Sequence, residues 1–530
     1  MSALTLPGLV AAQVGSAIAA IDGDRVVTFG ELDSLNQRLA GGLRRAGISH
    51  GDRVAVWLPN SLQWMVTTLA LSRLGAVTVS VNTRFRSVEV QDIVGRAGCK
   101  ALVLWPGFKG IDFKGILAGT DPATMARLET IITVGGDDET LIDGLEHFAY
   151  GDLGDHDPYS DLNADGETPS HIFTTSGTTS APKFVLHKQA TLVRHGHDVV
   201  RAFGYDKPAA KVLQATPFCG VYGFSQAMGA LAAGIPNIIM RLFTAADAVQ
   251  LISDHQITQF NVGDDMLATM LAASADDADF ASLEFMGVAI FNPGLEGIAA
   301  EAEKRGIRAY GLYGMSEVFA LFSKQPDDLP VGERRLGGGH PVCVEASVRV
   351  RDSETGDLLN DGSDGEIEIF TPNMLVEYAD NPDATAAAFT DDGYFRTGDV
   401  GHLRADGSFV FIARAGDVMR IAGFLVSPAE IEDHILRLDG IDACQAVDAA
   451  DEDAKPRVIA FVRGNHIPDE ATVIAHCKAG LANFKVPTRV IAVPDFPMAD
   501  GANGKKVQKA VLREWAALAV QGRDIEIPGR

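Results

Sequence analysis

Short apolar runs typical of buried strands alternate with helical segments through the N-terminal part of the chain. Arg53–Leu58 and Ala76–Val81 are predicted as strands, and Trp64–Leu74 between them as a helix. Parallel strands need a crossover of this kind, so the alternation predicts a mainly parallel sheet with helices on its faces. The pattern predicts further strands at Ala101–Leu104, Ile131–Val134, Val212–Gln214 and Asn237–Met240.

The first long helix is predicted over Thr28–Ala46. Thr28 is followed three residues later by Glu31, which is the spacing of a capping box. The sequence therefore predicts that Thr28 caps this helix.

The pattern changes after Val342. The strands predicted there are separated by short turns, which indicates an antiparallel region that closes the large domain; they are Ala346–Arg351, Gly365–Phe370 and Phe409–Ala413. A new α+β pattern starts near Asp417, and its clearest elements are a strand at Val458–Val462 and a helix at Ala471–Ala479. A hinge is predicted near residues 414–417.

Length and charge exclude several classes of protein. A chain of 530 residues exceeds one compact core, so at least two domains are expected. The formal net charge of -25 argues against a nucleic-acid partner, which requires a basic surface, and against docking on an anionic membrane. No stretch reaches the ~18 apolar residues of a membrane helix. The N-terminus lacks a signal-peptide pattern and the five cysteines form no CxxC pair, so a cytoplasmic location is predicted.

A loop rich in serine, threonine and glycine is the most specific local feature. It follows a predicted strand at Ser170–Phe173 and ends in a Pro-Lys pair. Small hydroxylated residues let backbone amides approach phosphate oxygens, and lysine adds a positive charge. The spacing differs from the GxxxxGK[ST] loop of kinases and GTPases. The candidate phosphate-binding residues are Thr175, Ser176, Gly177, Thr178, Thr179 and Lys183.

Three further motifs follow in order along the chain. Tyr313–Glu317 spells YGMSE, Tyr394–Asp399 spells YFRTGD, and residues 413–424 spell ARAGDVMRIAGF. Together with the phosphate loop they resemble the motifs of the adenylate-forming superfamily, in its acyl- and aryl-CoA synthetase branch. The resemblance covers nearly the whole chain, although Ser180 stands where the family usually has glycine, Phe184 stands where it often has glycine, and the GGAP motif that is often found near Ala289 is absent.

The resemblance implies a fold and a domain division. It implies an α/β fold whose large N-terminal domain, residues 1–415, combines parallel-sheet subdomains with a small β-barrel-like region. Residues 416–530 would form a small mobile α+β domain that carries the catalytic lysine. Gly416 falls at the hinge position, and glycine can absorb the large φ/ψ changes of a hinge.

The resemblance also assigns roles to residues of the motifs. Tyr313 and Gly314 would contact the nucleotide, Ser316 would lie near the α-phosphate, and Glu317 would hold Mg²⁺, for which a carboxylate is a suitable hard ligand. Asp399 would accept hydrogen bonds from the ribose hydroxyls, and Arg414 would contact ribose or phosphate. The expected small molecules are ATP, Mg²⁺ and coenzyme A.

The C-terminal residues complete the expected site. Gly423 would let the pantetheine arm of CoA pass close to the backbone. The segment Gly504–Lys509 resembles the family's catalytic-lysine segment, in which Lys506 is the equivalent, with Lys505 possible by a slip of one residue. A plain basic start of a helix is the alternative.

The acid pocket is expected near Thr216–Gly223. Gly220 stands where many relatives have a histidine or aromatic gate, and Tyr222 and Phe224 could line an apolar cavity, although such residues are more often core. His187, His195 and His197 are close in sequence, but histidines on a polar helix are usually solvated, so no role is assigned to them.

The predicted activity is that of a carboxylic acid:CoA ligase that forms an acyl-AMP with release of pyrophosphate and then an acyl-CoA thioester. Three alternatives stay open: loading of a carrier protein, a luciferase-like oxygenase, and a catalytically lapsed acyl- or nucleotide-binding protein. The acid is not identified, and a homodimer is possible.

Overall fold

The computed structural model describes residues 4–135, 140–175, 182–290, 295, 297–415, 419–421, 424–426, 428–451, 455–481, 485–501, 504–523 and 525. For residues 420, 424–425, 500–501 and 504–506 it describes only the backbone.

The strands in these ranges are numbered in chain order. They are β1 Ile18–Asp22, β2 Arg25–Thr28, β3 Arg53–Trp57, β4 Val77–Ser80, β5 Ala101–Leu104, β6 Thr130–Thr133, β7 Glu146–Ala149, β8 Pro169–Thr174, β9 Phe184–Lys188, β10 Val212–Gln214, β11 Asn237–Ile239, β12 Gln259–Gly263, β13 Phe285–Ala289, β14 Ala309–Met315, β15 Phe319–Lys324, β16 Gly338–Pro341, β17 Ser347–Arg351, β18 Gly365–Phe370, β19 Glu377–Tyr378, β20 Phe395–Leu403, β21 Phe409–Arg414, β22 Met419–Ile421, β23 Phe424–Val426, β24 Ala443–Ala450, β25 Pro456–Arg463, β26 Arg489–Ala492, β27 Met498–Gly501 and β28 Gly504–Val507.

The α-helices are numbered in the same way. They are α1 Leu6–Ala11, α2 Phe29–Arg45, α3 Leu62–Leu74, α4 Ser87–Arg96, α5 Phe113–Ala118, α6 Tyr150–Gly154, α7 Gln189–Phe203, α8 Val221–Ala233, α9 Ala245–His255, α10 Asp264–Ala273, α11 Ile298–Lys304, α12 Val331–Arg334, α13 Pro382–Ala388, α14 Pro428–Ile435, α15 Glu470–Gly480 and α16 Lys509–Val520.

Two large sheets form the N-terminal part of the molecule. The eight-stranded sheet has the order β19-β9-β8-β4-β3-β5-β6-β7. The strands from β8 to β7 are parallel, β9 pairs antiparallel with β8, and β19 pairs antiparallel with β9. The thirteen-stranded sheet has the order β17-β18-β20-β21-β16-β15-β14-β13-β12-β10-β11-β1-β2. Along this order, neighbouring strands are parallel from β14 through β13, β12, β10 and β11 to β1. From β14 through β15, β16, β21, β20 and β18 to β17, neighbouring strands are antiparallel.

These sheets confirm the predicted fold class, with a parallel α/β region followed by an antiparallel one. The predicted strands and helices occur within one or two residues of their expected bounds. Thr28 caps α2 as predicted: its hydroxyl accepts from the Glu31 amide at 3.2 Å, and its own amide donates to the Glu31 carboxylate at 2.8 Å.

The C-terminal part has the predicted α+β composition. A sheet of β24, β25 and β26 packs against helices α14, α15 and α16, and the hairpins β22–β23 and β27–β28 belong to the same part of the chain. One apolar core includes Ile431 from α14, Cys477 from α15 and Ala460 from β25. A second one joins Phe461, the next residue of β25, to Leu512 of α16. Successive residues of a strand point to opposite faces, so helices cover this sheet on both sides.

Candidate active site

The neck of the phosphate loop is closed by backbone and hydroxyl hydrogen bonds. The Thr175 amide donates to the Lys183 carbonyl at 3.0 Å, and the Lys183 amide donates to the Thr175 hydroxyl at 3.1 Å. The neighbouring strands β8 and β9 pair up to Thr174 and Phe184, so the two ends of the loop are fixed side by side. The predicted phosphate ligands Ser176, Gly177, Thr178 and Thr179 lie outside the described residues.

Phe184 and Arg96 hold the C-terminal side of this neck. Arg96 ends α4, and its guanidinium donates to the Pro182 carbonyl and lies 4.0 Å from the centroid of the buried Phe184 ring. The same guanidinium pairs with Asp92 one helical turn earlier. Phe184 therefore provides a packing surface for a cation that contacts the end of the loop.

The YGMSE motif forms a tight hairpin between β14 and β15. Met315 is opposite Phe319, so Ser316–Val318 form the turn. A side chain at Gly314 would approach the Phe319 carbonyl to 2.4 Å, so this close approach requires glycine. Phe319 has a φ of +69°, which is uncommon for a residue with a bulky side chain.

Tyr313, Asp399 and Arg414 come together from three strands of the large sheet. The Tyr313 hydroxyl donates to Asp399 Oδ2 at 2.7 Å, and Arg414 Nε lies 3.0 Å from Asp399 Oδ1. Burial and the adjacent carboxylate raise the pKa of Tyr313 well above its ordinary value, so the phenol stays a donor. Three residues assigned to the nucleotide by separate motifs are thus joined through the Asp399 carboxylate.

Glu317 belongs to a second cluster on the same hairpin. The Tyr378 hydroxyl, on β19 of the other sheet, donates to Glu317 Oε1 at 2.8 Å. Lys183 Nζ lies 4.5 Å from the centroid of the Tyr378 ring. Burial and the Glu317 carboxylate raise the pKa of Tyr378, which keeps this phenol protonated. Tyr378 therefore links the predicted metal ligand to the lysine of the phosphate loop.

The loop before α8, where the acid pocket is expected, is fixed by Asn60, which lies between β3 and α3. Asn60 Nδ2 donates to the carbonyls of Gln214 and Thr216 at 3.1 and 2.8 Å, and Oδ1 accepts from the Phe218 amide at 2.7 Å. The buried amide side chain thus meets three backbone groups of one loop. Gly220 lies at the N-terminus of α8.

The two aromatic residues predicted for the pocket lie in different surroundings. The Tyr222 hydroxyl donates to the Val262 carbonyl at 3.1 Å, at the C-terminal end of β12. The Phe224 ring lies 4.7 Å from the His171 ring and 5.2 Å from the Phe173 ring, and it is buried. This environment favours the core interpretation of Phe224 that the sequence left open.

The interpretation of the histidines as solvated is wrong for two of the three. His187 and His195 are 0% and 3% exposed, because β9 and α7 pack both rings against the hairpin, whereas His197 is exposed. Burial lowers the pKa of His187 to about 4 and that of His195 to about 3, so both imidazoles are neutral near pH 7.

The predicted C-terminal residues are described only in part. Lys506 lies on β28, where its backbone is opposite Ala499 of β27; the helix α16 starts later, at Lys509. The alternative of a helix start at the lysine pair is therefore wrong. Gly423, and Gly416 at the predicted hinge position, lie outside the described residues.

The site fits a magnesium ion that is held mainly by nucleotide. Within the described ranges, no three His, Cys, Asp or Glu side chains are grouped as metal ligands. Mg²⁺ commonly takes one or two carboxylates together with substrate phosphates and water, so a single carboxylate at Glu317 suits it.

Sequence reasoning missed Asn60, Arg96 and Tyr378, and it assigned no role to His187. Asn60 and Tyr378 reach the site from distant parts of the chain, 156 and 61 residues from their partners Thr216 and Glu317. Phe184 was the one available signal for Arg96, because a large aromatic in a glycine-rich loop needs a packing partner.

Comparison with known proteins identifies the family. Residues 9–379 match the family described as AMP-binding enzyme, and residues 430–505 match the AMP-binding enzyme C-terminal domain. A CoA ligase from Rhodococcus jostii, named for a methyl-dioxo-octahydroindenyl propanoyl group, is 29% identical over 95% of this chain and 96% of its own length. A ligase of the same name from Mycobacterium tuberculosis is 31% identical over 94% of this chain and 95% of its own.

The fold is shared with a solved structure. The ATP-bound crystal structure of MatB from Rhodopseudomonas palustris superposes with a TM-score of 0.84 at 25% identity, covering 98% of this chain and 99% of that one. The chain belongs to the AMP-binding enzyme family. This confirms the predicted family and fold, and the relatives from Rhodococcus jostii and Mycobacterium tuberculosis are CoA ligases, the predicted class of enzyme.

In the part of the chain that the structure describes, every helix is too short or too polar to span a lipid bilayer.

Proposed function

We propose that this protein is an acid–thiol ligase that activates a carboxylic acid with ATP as an acyl-AMP and transfers the acyl group to coenzyme A. The observation that carries the proposal is the contact of Tyr313, Asp399 and Arg414 beside the hairpin that bears Glu317. The residues that would bind the nucleoside and those that would bind the triphosphate thus lie on one short segment and its immediate neighbours.

Asp399 and Tyr313 would bind the nucleoside. An ionised carboxylate accepts hydrogen bonds only, which suits the two hydroxyls of a ribose. The Tyr313 hydroxyl and Arg414 hold the Asp399 carboxylate in position before the nucleotide arrives. Preorganisation of this kind reduces the ordering needed on binding.

Glu317 would hold Mg²⁺ together with phosphate oxygens of ATP. The bound cation would neutralise charge on the triphosphate, since two anions must approach each other in the first step. Lys183 and the loop residues Ser176, Gly177, Thr178 and Thr179 would bind the phosphates, and Ser316 would lie near the α-phosphate. The Tyr378 hydroxyl orients Glu317 through one of its two carboxylate oxygens.

The first reaction exchanges one phosphoric anhydride bond for a mixed anhydride. A carboxylate oxygen attacks the α-phosphorus of ATP, the bond to the β-phosphate oxygen breaks, and pyrophosphate leaves. Lys506 would lie between the carboxylate and the α-phosphate and stabilise the charge that develops there, an effect worth about 3–4 kcal/mol for a well-placed donor.

The second reaction forms the thioester. The thiolate of CoA attacks the acyl carbon, and AMP leaves with the electron pair of the broken C–O bond. Residues 416–530 would rotate as a unit about Gly416, so that Lys506 leaves the site and Gly423 admits the pantetheine arm. The division at residues 415 and 416, the CoA contact and the roles of Gly220 and Tyr222 in the acid pocket belong to this proposal, as do a cytoplasmic location and a homodimer.

Pyrophosphate release and thioester formation, measured with ATP and Mg²⁺ across aliphatic, aromatic and alicyclic acids, test the proposal. Acid-dependent pyrophosphate release with CoA-dependent thioester formation is expected. Pyrophosphate release with no thioester would identify a different acceptor such as a carrier protein. If ATP binds but no acid of the panel causes pyrophosphate release, the catalytically lapsed binding protein is favoured.

A further inference from the structure

A stack of three buried rings lies directly behind the hairpin that carries Ser316 and Glu317. The Phe319 ring lies between the His187 ring, at 4.1 Å and an interplanar angle of 29°, and the His195 ring, at 4.6 Å and 13°. All three side chains are buried, and the reaction proposed above uses none of them. We refer to His187, Phe319 and His195 as the ring stack.

The ring stack is hydrogen-bonded to the backbone of the hairpin at two points. His187 Nε2 lies 2.8 Å from the Ser316 carbonyl oxygen, and His195 Nε2 lies 2.9 Å from the Ala320 carbonyl oxygen. A carbonyl can only accept, so both imidazoles donate from Nε2 and carry the proton there. The two bonds fix the backbone on either side of Glu317 and Phe319.

The backbone that these bonds hold has an unusual conformation. Phe319 and Leu321 have φ values of +69° and +61°, in the left-handed region that side chains rarely adopt. Such conformations persist only when the surroundings hold them, and they concentrate at functional sites. The Leu375 amide adds a third bond, to the Glu317 carbonyl at 2.7 Å.

We propose that His187 is a positioning residue, which acts through the Ser316 carbonyl and the ring stack to hold Glu317 in the orientation that binds Mg²⁺·ATP. The inference rests on the role proposed for Glu317. His187 touches neither nucleotide nor acid in this account; its neutral ring supplies one directed donor and one face against Phe319. Loss of the donor would let the hairpin relax from the left-handed conformation at Phe319 and would turn the carboxylate away from the metal.

The test compares four variants by calorimetric titration with ATP, at low and at saturating Mg²⁺ and with no acid present. His187→Leu removes the donor, and His187→Gln offers an amide donor of similar reach. His171→Leu is the matched control, because His171 is equally buried on the neighbouring strand β8 but bonds to Ser170 and stacks on Phe173. Phe319→Leu replaces the central ring of the stack with an aliphatic side chain of similar volume. This variant still allows the test if His187→Leu fails to fold.

The readout is the gain in ATP affinity that Mg²⁺ confers. For His187→Leu we expect this gain to fall about tenfold while the affinity without Mg²⁺ changes less than about twofold, the size expected for one directed hydrogen bond. Phe319→Leu should lower the gain in the same direction, His187→Gln should restore most of it, and His171→Leu should leave it unchanged. The proposal is overturned if His187→Leu keeps the wild-type gain, if His171→Leu loses as much, or if the wild-type protein shows no gain.

This experiment separates the two proposals. A protein that binds Mg²⁺·ATP with the expected pattern of variants, yet activates no acid, would contradict the ligase and leave the role of His187 intact. A ligase whose His187→Leu variant binds Mg²⁺·ATP like the wild type would contradict the role of His187 alone.

Discussion

The two ends of the proposed nucleotide site are held in different ways. At the nucleoside end, Tyr313 and Asp399 are 6% and 2% exposed and bond to each other through their side chains. At the phosphate end, the neck of the loop is closed by two bonds between Thr175 and Lys183, and Lys183 itself is exposed. One end is therefore part of the core, whereas at the other end the described lysine, Lys183, is exposed to solvent and only its backbone is fixed.

Because of this difference, substitutions at the two ends should affect protein stability and substrate turnover to different extents. A buried polar group that loses its partner costs about 1–3 kcal/mol, so changes at the nucleoside end should weaken both folding and binding. An exposed charge contributes little to folding, so changes at the phosphate end should act on substrate alone. Glu317 stands between the two, since Tyr378 holds it from one side and the ring stack supports it from behind.

The largest effect is expected at Glu317. Glu317→Gln removes the charge that would bind Mg²⁺ but keeps an oxygen for the Tyr378 hydroxyl, so pyrophosphate release should fall about 100-fold. Glu377→Gln is the matched control, because Glu377 is exposed and adjacent to Tyr378 in sequence. Steady-state kinetics measures this effect. Equal losses of pyrophosphate release in the two variants would show that Glu317 is not a ligand of the metal.

A smaller effect is expected at Asp399. Asp399→Asn leaves Arg414 without its ionic partner and weakens the acceptor for ribose, so the KM for ATP should rise about tenfold and the free energy of unfolding should fall by about 1–3 kcal/mol. Tyr313→Phe should weaken the same contact. Kinetics and urea unfolding of both single variants and the double variant check this, and strictly additive changes would contradict the contact between the two side chains.

Acid should destabilise the fold through the two buried histidines of the ring stack. The pKa values of His187 and His195 are lowered to about 4 and about 3 in the folded chain, below the ordinary 6.5. Below pH 6.5 the unfolded state therefore binds protons that the folded state does not, so stability falls as the pH drops from about 6.5 toward 4, by about 1.4 kcal/mol per pH unit for each buried histidine. His195→Gln should reduce this slope in urea unfolding between pH 7 and 5, and an unchanged slope would contradict burial of a neutral ring.

The smallest effect is expected at Lys183. Lys183→Ala should raise the KM for ATP about three- to fivefold without changing the free energy of unfolding, since the ammonium is exposed and lies against the face of Tyr378. Lys188→Ala, at the end of the strand β9 that follows Lys183, is the control, because Lys188 is paired with Glu167. A loss of stability in Lys183→Ala would show that the phosphate end is also part of the core.

The sequence predicted those parts of the site that lie within single motifs. Tyr313, Glu317 and Asp399 were found because each belongs to a short run with a recognisable order along the chain, and the β14–β15 hairpin keeps the first two together. The fold followed from the alternation of strands and helices, and from Thr28 and Glu31 at the start of α2.

The contacts between distant segments could not be predicted in the same way. His187 and His195 lie in stretches with polar neighbours, and only the packing of β9 and α7 against the hairpin buries them. Tyr378 reaches Glu317 because β19 pairs with β9 at the edge of the eight-stranded sheet, which no local pattern encodes. Asn60 likewise joins a loop more than 150 residues away.

The central claim is that the acid is activated as an adenylate before any thiol takes part. Isotope exchange between labelled pyrophosphate and ATP tests it most directly, in the presence of an acid substrate and in the absence of CoA. We predict exchange that requires both the acid and Mg²⁺ and that is lost in Lys506→Ala. Formation of a thioester without any such exchange, or with release of ADP and phosphate in place of AMP and pyrophosphate, would contradict the account.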